Sequence, residues 1–116
     1  SRLDFCLQGP QGLHLVEVKG VTLEDGGHAL FPDAPTERGV RHLRELASAV
    51  ALGHRATVFF VIQMAEVTDF APNDATHPAF GEALRQAVAA GVQAAAYTCR
   101  VAPDSIVIDR PVPVIL

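Results

Sequence analysis

The segment that most constrains the fold is a short apolar run near the middle of the chain, RATVFFVIQ at residues 55–63. Val58 to Ile62 are apolar at every position, so the strand that they predict is central in a sheet and covered on both faces. Amphipathic helices are predicted before and after it, over residues 37–52 and 77–90. This alternation predicts an α/β domain whose helices cover the sheet.

Alternating apolar and polar residues predict the other strands, at residues 2–8, 13–19, 92–101 and 105–109. The first two flank the turn Gly9-Pro10-Gln11-Gly12 and therefore predict a β-hairpin. Two prolines place the tail PVPVIL at a sheet edge or on the surface. Residues 20–35 and 64–76 are expected to be mainly loops. The predicted order is β-β-α-β-α-β, a mixed β-sheet flanked by two helices.

Size and composition predict one globular domain. The chain has 116 residues, of which 49% are hydrophobic and 19% charged. Because the sequence has no apolar run of membrane-spanning length and no secretory signal pattern, we expect a cytoplasmic protein without a membrane partner. Cys6 and Cys99 match no metal spacing and are expected to be buried thiols, as is usual in that compartment. The sequence starts at Ser1 inside a predicted strand, so we expect a fragment of a longer protein.

Charge narrows the expected partners. The net charge of −4 and the pI near 5.6 argue against a general basic coat for nucleic acid, although a local basic patch stays compatible with them. Eight of the nine cationic residues are Arg, and Lys19 is the single Lys. A lysine amine is compact and can be tuned by burial, unlike a guanidinium. A site that needs such an amine would retain Lys19.

Three residues of the predicted hairpin form a candidate site. Glu17 and Lys19 are two apart, so on a strand both point to one face. A turn centred at residues 10–11 brings residue n opposite residue 21 − n, which places Asp4 opposite Glu17. Cross-strand Cβ atoms on one face lie about 4.5–5.5 Å apart, and two carboxylates at that separation repel unless they are neutralised. A divalent cation would neutralise them, and a buried or edge ion-pair cluster is the alternative.

The hypothesis of a metal site assigns a role to each of these residues. Asp4 and Glu17 are predicted to bind Mg²⁺ or Mn²⁺, with the backbone carbonyl of Val18 as a further ligand. Lys19 is predicted to hold or deprotonate an attacking water, or to stabilise charge that develops on a phosphoryl group.

The same residues carry a family resemblance. Asp4, twelve residues, then Glu17-Val18-Lys19 resembles the signature of the restriction-endonuclease-like PD-(D/E)xK superfamily. With the longer segments ALFPDAPTERG, GHRATVFFVIQ, FAPNDATHPAF and AYTCRV, the chain resembles the sugar fermentation stimulation protein A (SfsA) family. The resemblance implies a restriction-endonuclease-like core, α-β-β-β-α-β, with metal ligands Asp4 and Glu17 and catalytic Lys19. The leading helix and first strand of that core have no counterpart in this sequence.

The resemblance also implies the domain organisation and the function. Residues 1–116 correspond to the C-terminal, nuclease-like domain of a protein about twice as long, whose OB-like N-terminal barrel lies outside this sequence. The implied function is DNA binding linked to regulation of sugar fermentation, with a Mg²⁺- or Mn²⁺-dependent site for phosphodiester hydrolysis. The alternative is a non-catalytic DNA-binding regulator with a vestigial metal site. A homo-oligomer that pairs through the apolar tail is a third option.

Four further residues are candidates for contacts around the site. Thr36, Glu37 and Arg38 start the first predicted helix, where a helix N-terminus favours phosphate. Glu37 is either a further acid near the metal or a first-turn carboxylate, and Arg38 either contacts phosphate or is solvated. Gln63 ends the central strand, where ligands often bind in open α/β sheets, and is either a contact of the site or simply a polar residue at a strand end. The histidines show no ligand spacing and are not assigned to the site: His14, His28, His42, His54 and His77.

Overall fold

The structure, a computed structural model, describes residues 4–10 and 12–116. Residues 2 and 3 of the first predicted strand and Gln11 of the turn lie outside the described residues. The elements are β1 (Phe5–Gly9), β2 (Gly12–Val21), β3 (Leu23–Asp25), β4 (His28–Phe31), α1 (Glu37–Ala51), β5 (Arg55–Ile62), β6 (Asp69–Pro72), α2 (Pro78–Ala89), β7 (Gln93–Ala102) and β8 (Ser105–Val112). A mixed α/β domain with two helices is confirmed.

The larger sheet has the strand order β1-β2-β5-β7-β8. Its inner strands β2, β5 and β7 are parallel, and the edge strands β1 and β8 are antiparallel to their neighbours. The predicted central position of β5 is therefore confirmed. The hairpin register is confirmed as well, because Phe5 pairs with Val16 and Gly9 with Gly12. The last strand continues to Val112, beyond the predicted end, and it lies at the edge.

A second sheet corrects the predicted element order. Strands β3, β4 and β6 form a three-stranded sheet within the two segments that were expected to be loops, residues 20–35 and 64–76. The β3–β4 turn is Gly26-Gly27, with φ of 59° and 88°. Two left-handed residues suit a two-residue hairpin turn, and glycine adopts that conformation without a Cβ clash. Asp25-Gly26-Gly27-His28 was therefore a hairpin signal in the sequence.

Both helices pack on one face of the larger sheet, together with the second sheet. The residues of β5 that face them are fully buried: Ala56, Val58, Phe60 and Ile62. The ring of Phe60 stacks on Phe70 of β6 at 4.2 Å and meets Phe80 of α2 edge-on at 6.5 Å. Phe59 and Val61 on the opposite face are only half-buried in the described chain, so the expected cover on both faces is absent there.

The start of α1 is fixed in place by its capping residue. The Thr36 hydroxyl accepts a hydrogen bond from the Gly39 amide at 3.0 Å, as an N-cap side chain does. A Cβ on Gly39 would lie 2.9 Å from the Thr36 methyl and 3.2 Å from the Phe80 ring, so only glycine allows this close packing. The start of α1 therefore packs closely against Phe80 of α2.

Two further expectations concern the cysteines and the membrane. Cys99 is buried and its thiol donates to the Ile62 carbonyl at 2.9 Å, but Cys6 is exposed on the edge strand β1, contrary to the prediction. Among the residues that the structure describes, no helix is both long enough and apolar enough to span a bilayer.

Candidate active site

The site lies where β2 passes under α1. Glu17 and Lys19 point to the helix-covered face, as their spacing predicts, and the Lys19 Nζ lies 3.6 Å from the Glu17 Oε1. Glu17 is only 2% exposed, and the side chain of Lys19 is 13% exposed. The pair is thus an ion pair with most of its hydration removed.

Asp4 joins this pair from the residue just before β1. Its Oδ2 accepts a hydrogen bond from the Val18 amide at 2.8 Å, which lowers the pKa of Asp4. Its carboxylate also contacts the Glu17 carboxyl through a hydrogen bond. Burial, and then this contact with Asp4, raises the pKa of Glu17 to about 7. Near neutral pH, the two carboxyl groups therefore readily share one proton.

His42 of α1 completes the cluster from above. Its side chain is fully buried, and its Nδ1 lies 3.0 Å from the Glu17 Oε2 and 3.1 Å from the Lys19 Nζ. Burial lowers the pKa of His42, and the positive charge of Lys19 lowers it further. The ring is therefore neutral at physiological pH.

Sequence reasoning missed His42 because it sought metal-ligand spacing. A different signal was present in the helix periodicity. His42 lies on the buried face of α1, with the residues Gly39, Val40, Leu43, Leu46 and Ala49. A histidine at such a position, in the helix that covers the Glu17 strand, is the pattern that would have identified it.

The other predicted residues lie around the cluster or away from it. The hydroxyl of Thr36 caps α1, and the Glu37 side chain is 80% exposed and lies 3.5 Å from the Nε2 of His77. Arg38 is exposed one turn before His42, and its charge contributes to lowering the pKa of His42. The Gln63 amide lies over Gly20, 3.3 Å from where a Cβ would be. Position 20 faces away from Lys19, so Gln63 does not join the cluster.

The donor set is compatible with a hard divalent cation. The Glu17 Oε2 is buried and has no hydrogen-bond partner among the described residues, and the Asp4 carboxylate lies beside it. Within the described part of the chain, no three His, Cys, Asp or Glu side chains converge as a metal cage. Two carboxylates nevertheless suit Mg²⁺, which usually keeps several waters and uses few protein ligands.

The fold and this cluster define a mixed α/β domain with an acid–lysine–imidazole site between β2 and α1. A family model described as the sugar fermentation stimulation protein RE domain matches residues 1–105. The chain therefore belongs to the SfsA family.

Relatives at high identity agree with this assignment. A sugar fermentation stimulation protein homolog of Desulfitobacterium hafniense (strain Y51) is 59% identical over 106 residues, which are 91% of this chain and 46% of that protein. The homolog of Geobacter sulfurreducens is 52% identical over 115 residues, 99% of this chain and 49% of that protein. The chain thus spans about half the length of these curated relatives.

A solved structure also resembles the whole chain. It is described as the structure of Pyrococcus furiosus SfsA in complex with Ca²⁺. Its TM-score is 0.92 at 32% sequence identity, and the match covers 100% of this chain and 51% of that one.

Proposed function

We propose that this chain is the nuclease-like domain of an SfsA-type protein, with a restriction-endonuclease-like core. The proposed reaction is hydrolysis of phosphodiester bonds in nucleic acid, and DNA is the favoured substrate. The observation that carries the proposal is the cluster itself. Two carboxyl groups in contact, one of them buried, lie beside the only lysine of the chain. A buried group of this kind costs free energy, so a domain of this size would rarely keep it without a use.

A divalent metal ion is part of the proposal, Mg²⁺ or Mn²⁺. Asp4 and Glu17 would hold it, with the carbonyl of Val18 as a further ligand. The Pyrococcus furiosus relative is described in complex with Ca²⁺, which supports a cation in this family. A bound divalent cation would supply positive charge to stabilise the pentavalent phosphate.

The residues of this chain would then do the rest. Lys19 orients the attacking water and stabilises the negative charge that develops on the phosphoryl oxygens. The water oxygen forms the new bond to phosphorus and gives up a proton to solvent. The bond from phosphorus to the sugar oxygen opposite it breaks, and that sugar oxygen takes up a proton from solvent. Arg38, exposed on α1 one turn from His42, is proposed to contact a neighbouring phosphate. Thr36 and Glu37, at the start of α1, are proposed to make outer contacts with the substrate, whereas Gln63, which lies over Gly20 on the other face of β2, is not.

The test is a cleavage assay on this chain within its full natural sequence. Labelled single- and double-stranded DNA and RNA are incubated with Mg²⁺ or Mn²⁺. Cleavage should require the metal and should fall at least about 100-fold in Glu17→Ala and Lys19→Ala. Glu66→Gln, which changes an exposed carboxylate, is the matched control and should cleave like the wild type. Cleavage that persists in Glu17→Ala and Lys19→Ala would remove this cluster from the reaction.

A second candidate is a DNA-binding regulator with a vestigial metal site. The acidic net charge of −4 favours it, because a surface that contacts many phosphates is normally basic. The rest of the longer protein would then supply most of the affinity. This division of roles is tested by measuring the DNA affinity of this domain alone at several salt concentrations. Tight binding with a steep dependence of log K on log salt would show that the division is wrong.

A further inference from the structure

The amine of the single lysine contacts a histidine that is distant from it in sequence. Lys19 Nζ donates to the His42 Nδ1 at 3.1 Å, and the histidine side chain is 1% exposed. The two residues are 23 positions apart in sequence and belong to different elements, β2 and α1. This contact ties the helix directly to the proposed reacting amine.

The direction of this hydrogen bond follows from the chemistry of the groups. A lysine ammonium has three donors and no acceptor, whereas a ring nitrogen of histidine carries either one hydrogen or one lone pair. The Nδ1 atom must therefore be the acceptor, and the ring hydrogen is on Nε2. The same Nδ1 lies 3.0 Å from the Glu17 Oε2, so one lone pair faces both a carboxyl group and an amine. The lowered pKa of His42 agrees with a neutral ring.

We propose that His42 is a positioning residue, whose Nδ1 fixes the amine of Lys19 beside the Asp4–Glu17 carboxyl pair. Lysine has a flexible four-carbon stem, so an amine without an acceptor samples many positions. Because His42 sits in the middle of a capped, packed helix, its Nδ1 is a rigid reference point. The catalytic consequence rests on the proposed nuclease function, whereas the positioning of the amine does not.

The direct test measures the mobility of the lysine tip by NMR. The chain is labelled with ¹³C-lysine, and the Lys19 signal is identified by its absence from Lys19→Arg. A restrained tip gives two separate Hε shifts, and a freely rotating tip gives one. We expect two shifts in the wild type, one in His42→Leu, and two again in His42→Asn, because the shorter asparagine side chain can place an acceptor oxygen near the original Nδ1 position.

Matched controls keep this test decisive. Leu43→Val perturbs the same buried helix face without removing the acceptor, so it should keep two Hε shifts. Two shifts in a folded His42→Leu variant, or one shift in Leu43→Val, would overturn the proposal. If His42→Leu does not fold, the same contact is removed from the other side with Lys19→Met, and the ring of His42 is observed instead. The ¹⁵N shift of the Nδ1 atom should then move toward the value of an unpaired acceptor, and an unchanged shift overturns the contact.

The cleavage assay adds the functional readout. His42→Leu should lower kcat by about 10- to 100-fold with KM nearly unchanged, since a misplaced group costs rate rather than binding. His42→Asn should recover most of that loss. Equal losses in both variants would overturn the role of the acceptor. If the wild type cleaves no substrate, the proposed function fails, while the NMR result still decides whether His42 positions Lys19.

Discussion

Two histidine–carboxylate pairs in this domain have similar geometry and opposite electrostatics. His42 and Glu17 meet at 3.0 Å between β2 and α1, and their side chains are 1% and 3% exposed. His28 and Asp69 meet at 2.7 Å on the three-stranded sheet, and their side chains are 57% and 23% exposed. The hydrogen bond to Asp69 raises the pKa of His28, whereas burial lowers the pKa of His42.

The difference teaches that burial, and not distance, decides the charge state of such a pair. In the exposed pair both groups keep water, so the opposite charge of the partner dominates. In the buried pair the loss of hydration dominates and disfavours both charges. Lys19 adds a second cation next to His42 and makes its protonation still less favourable. The buried pair is consequently neutral histidine with a carboxyl group of raised pKa.

The largest expected effect concerns Glu17, which carries the raised pKa of about 7 against an ordinary value of 4.5. Folding favours the protonated form of Glu17. The contribution of this group to the stability of the fold is therefore complete below pH 4.5 and is lost as the pH rises through 7. With EDTA present, Glu17→Gln should therefore match the wild type near pH 4 and exceed it by about 3 kcal/mol at pH 8. Urea unfolding across this pH range measures the difference in the free energy of unfolding.

An exposed carboxylate provides the control for that series. Glu66→Gln should stay within about 0.5 kcal/mol of the wild type at every pH. If the advantage of Glu17→Gln is the same at pH 4 and pH 8, then Glu17 has no raised pKa and the contrast between the two pairs disappears.

A smaller effect is expected from Lys19. At pH 8 with EDTA, Lys19→Met should lower the free energy of unfolding by about 2 kcal/mol, because it leaves the Glu17 carboxylate buried without its cation. Arg100→Ala is the matched surface variant: Arg100 lies 3.7 Å from Asp109, both exposed, and the expected loss is under about 0.5 kcal/mol.

The double variant Lys19→Met with Glu17→Gln isolates the cause. Since no charge then needs a partner, its stability at pH 8 should return to that of the wild type or above. A double variant that is as unstable as Lys19→Met alone would mean that the lysine contributes packing and not charge compensation.

The smallest effect is expected at the exposed pair. In Asp69→Asn, the pKa of His28 should fall back toward its ordinary value, as followed by histidine NMR signals. A histidine whose pKa is raised by folding stabilises the folded state fully below the pKa that it has in the unfolded chain. This stabilisation is lost as the pH rises through the pKa of the folded state. The variant should therefore be slightly less stable than the wild type at pH 5 and equal to it at pH 8. A loss at pH 8 as well would show that the pair contributes more than charge.

Local periodicity predicted much of the fold and part of the site. A period of two in β2 placed Glu17 and Lys19 on one face, and the turn fixed the hairpin register that brings Asp4 to them. The apolar run in β5 predicted its central position. The second sheet was missed because its strands are three or four residues long, too short for alternation to reveal, although the Gly26-Gly27 turn was a usable signal.

The sequence by itself determined which side chains share a strand face, because backbone geometry is local and repeats every two residues. Only the tertiary structure decided that His42 meets Lys19 and Glu17, because the rotation of α1 over the sheet depends on how Phe80 of α2 and the rest of the core pack against it. The tertiary structure also decided the charge state of the cluster. A pKa depends on how much water the assembled fold excludes, and that is a property of the packed elements and not of any one segment.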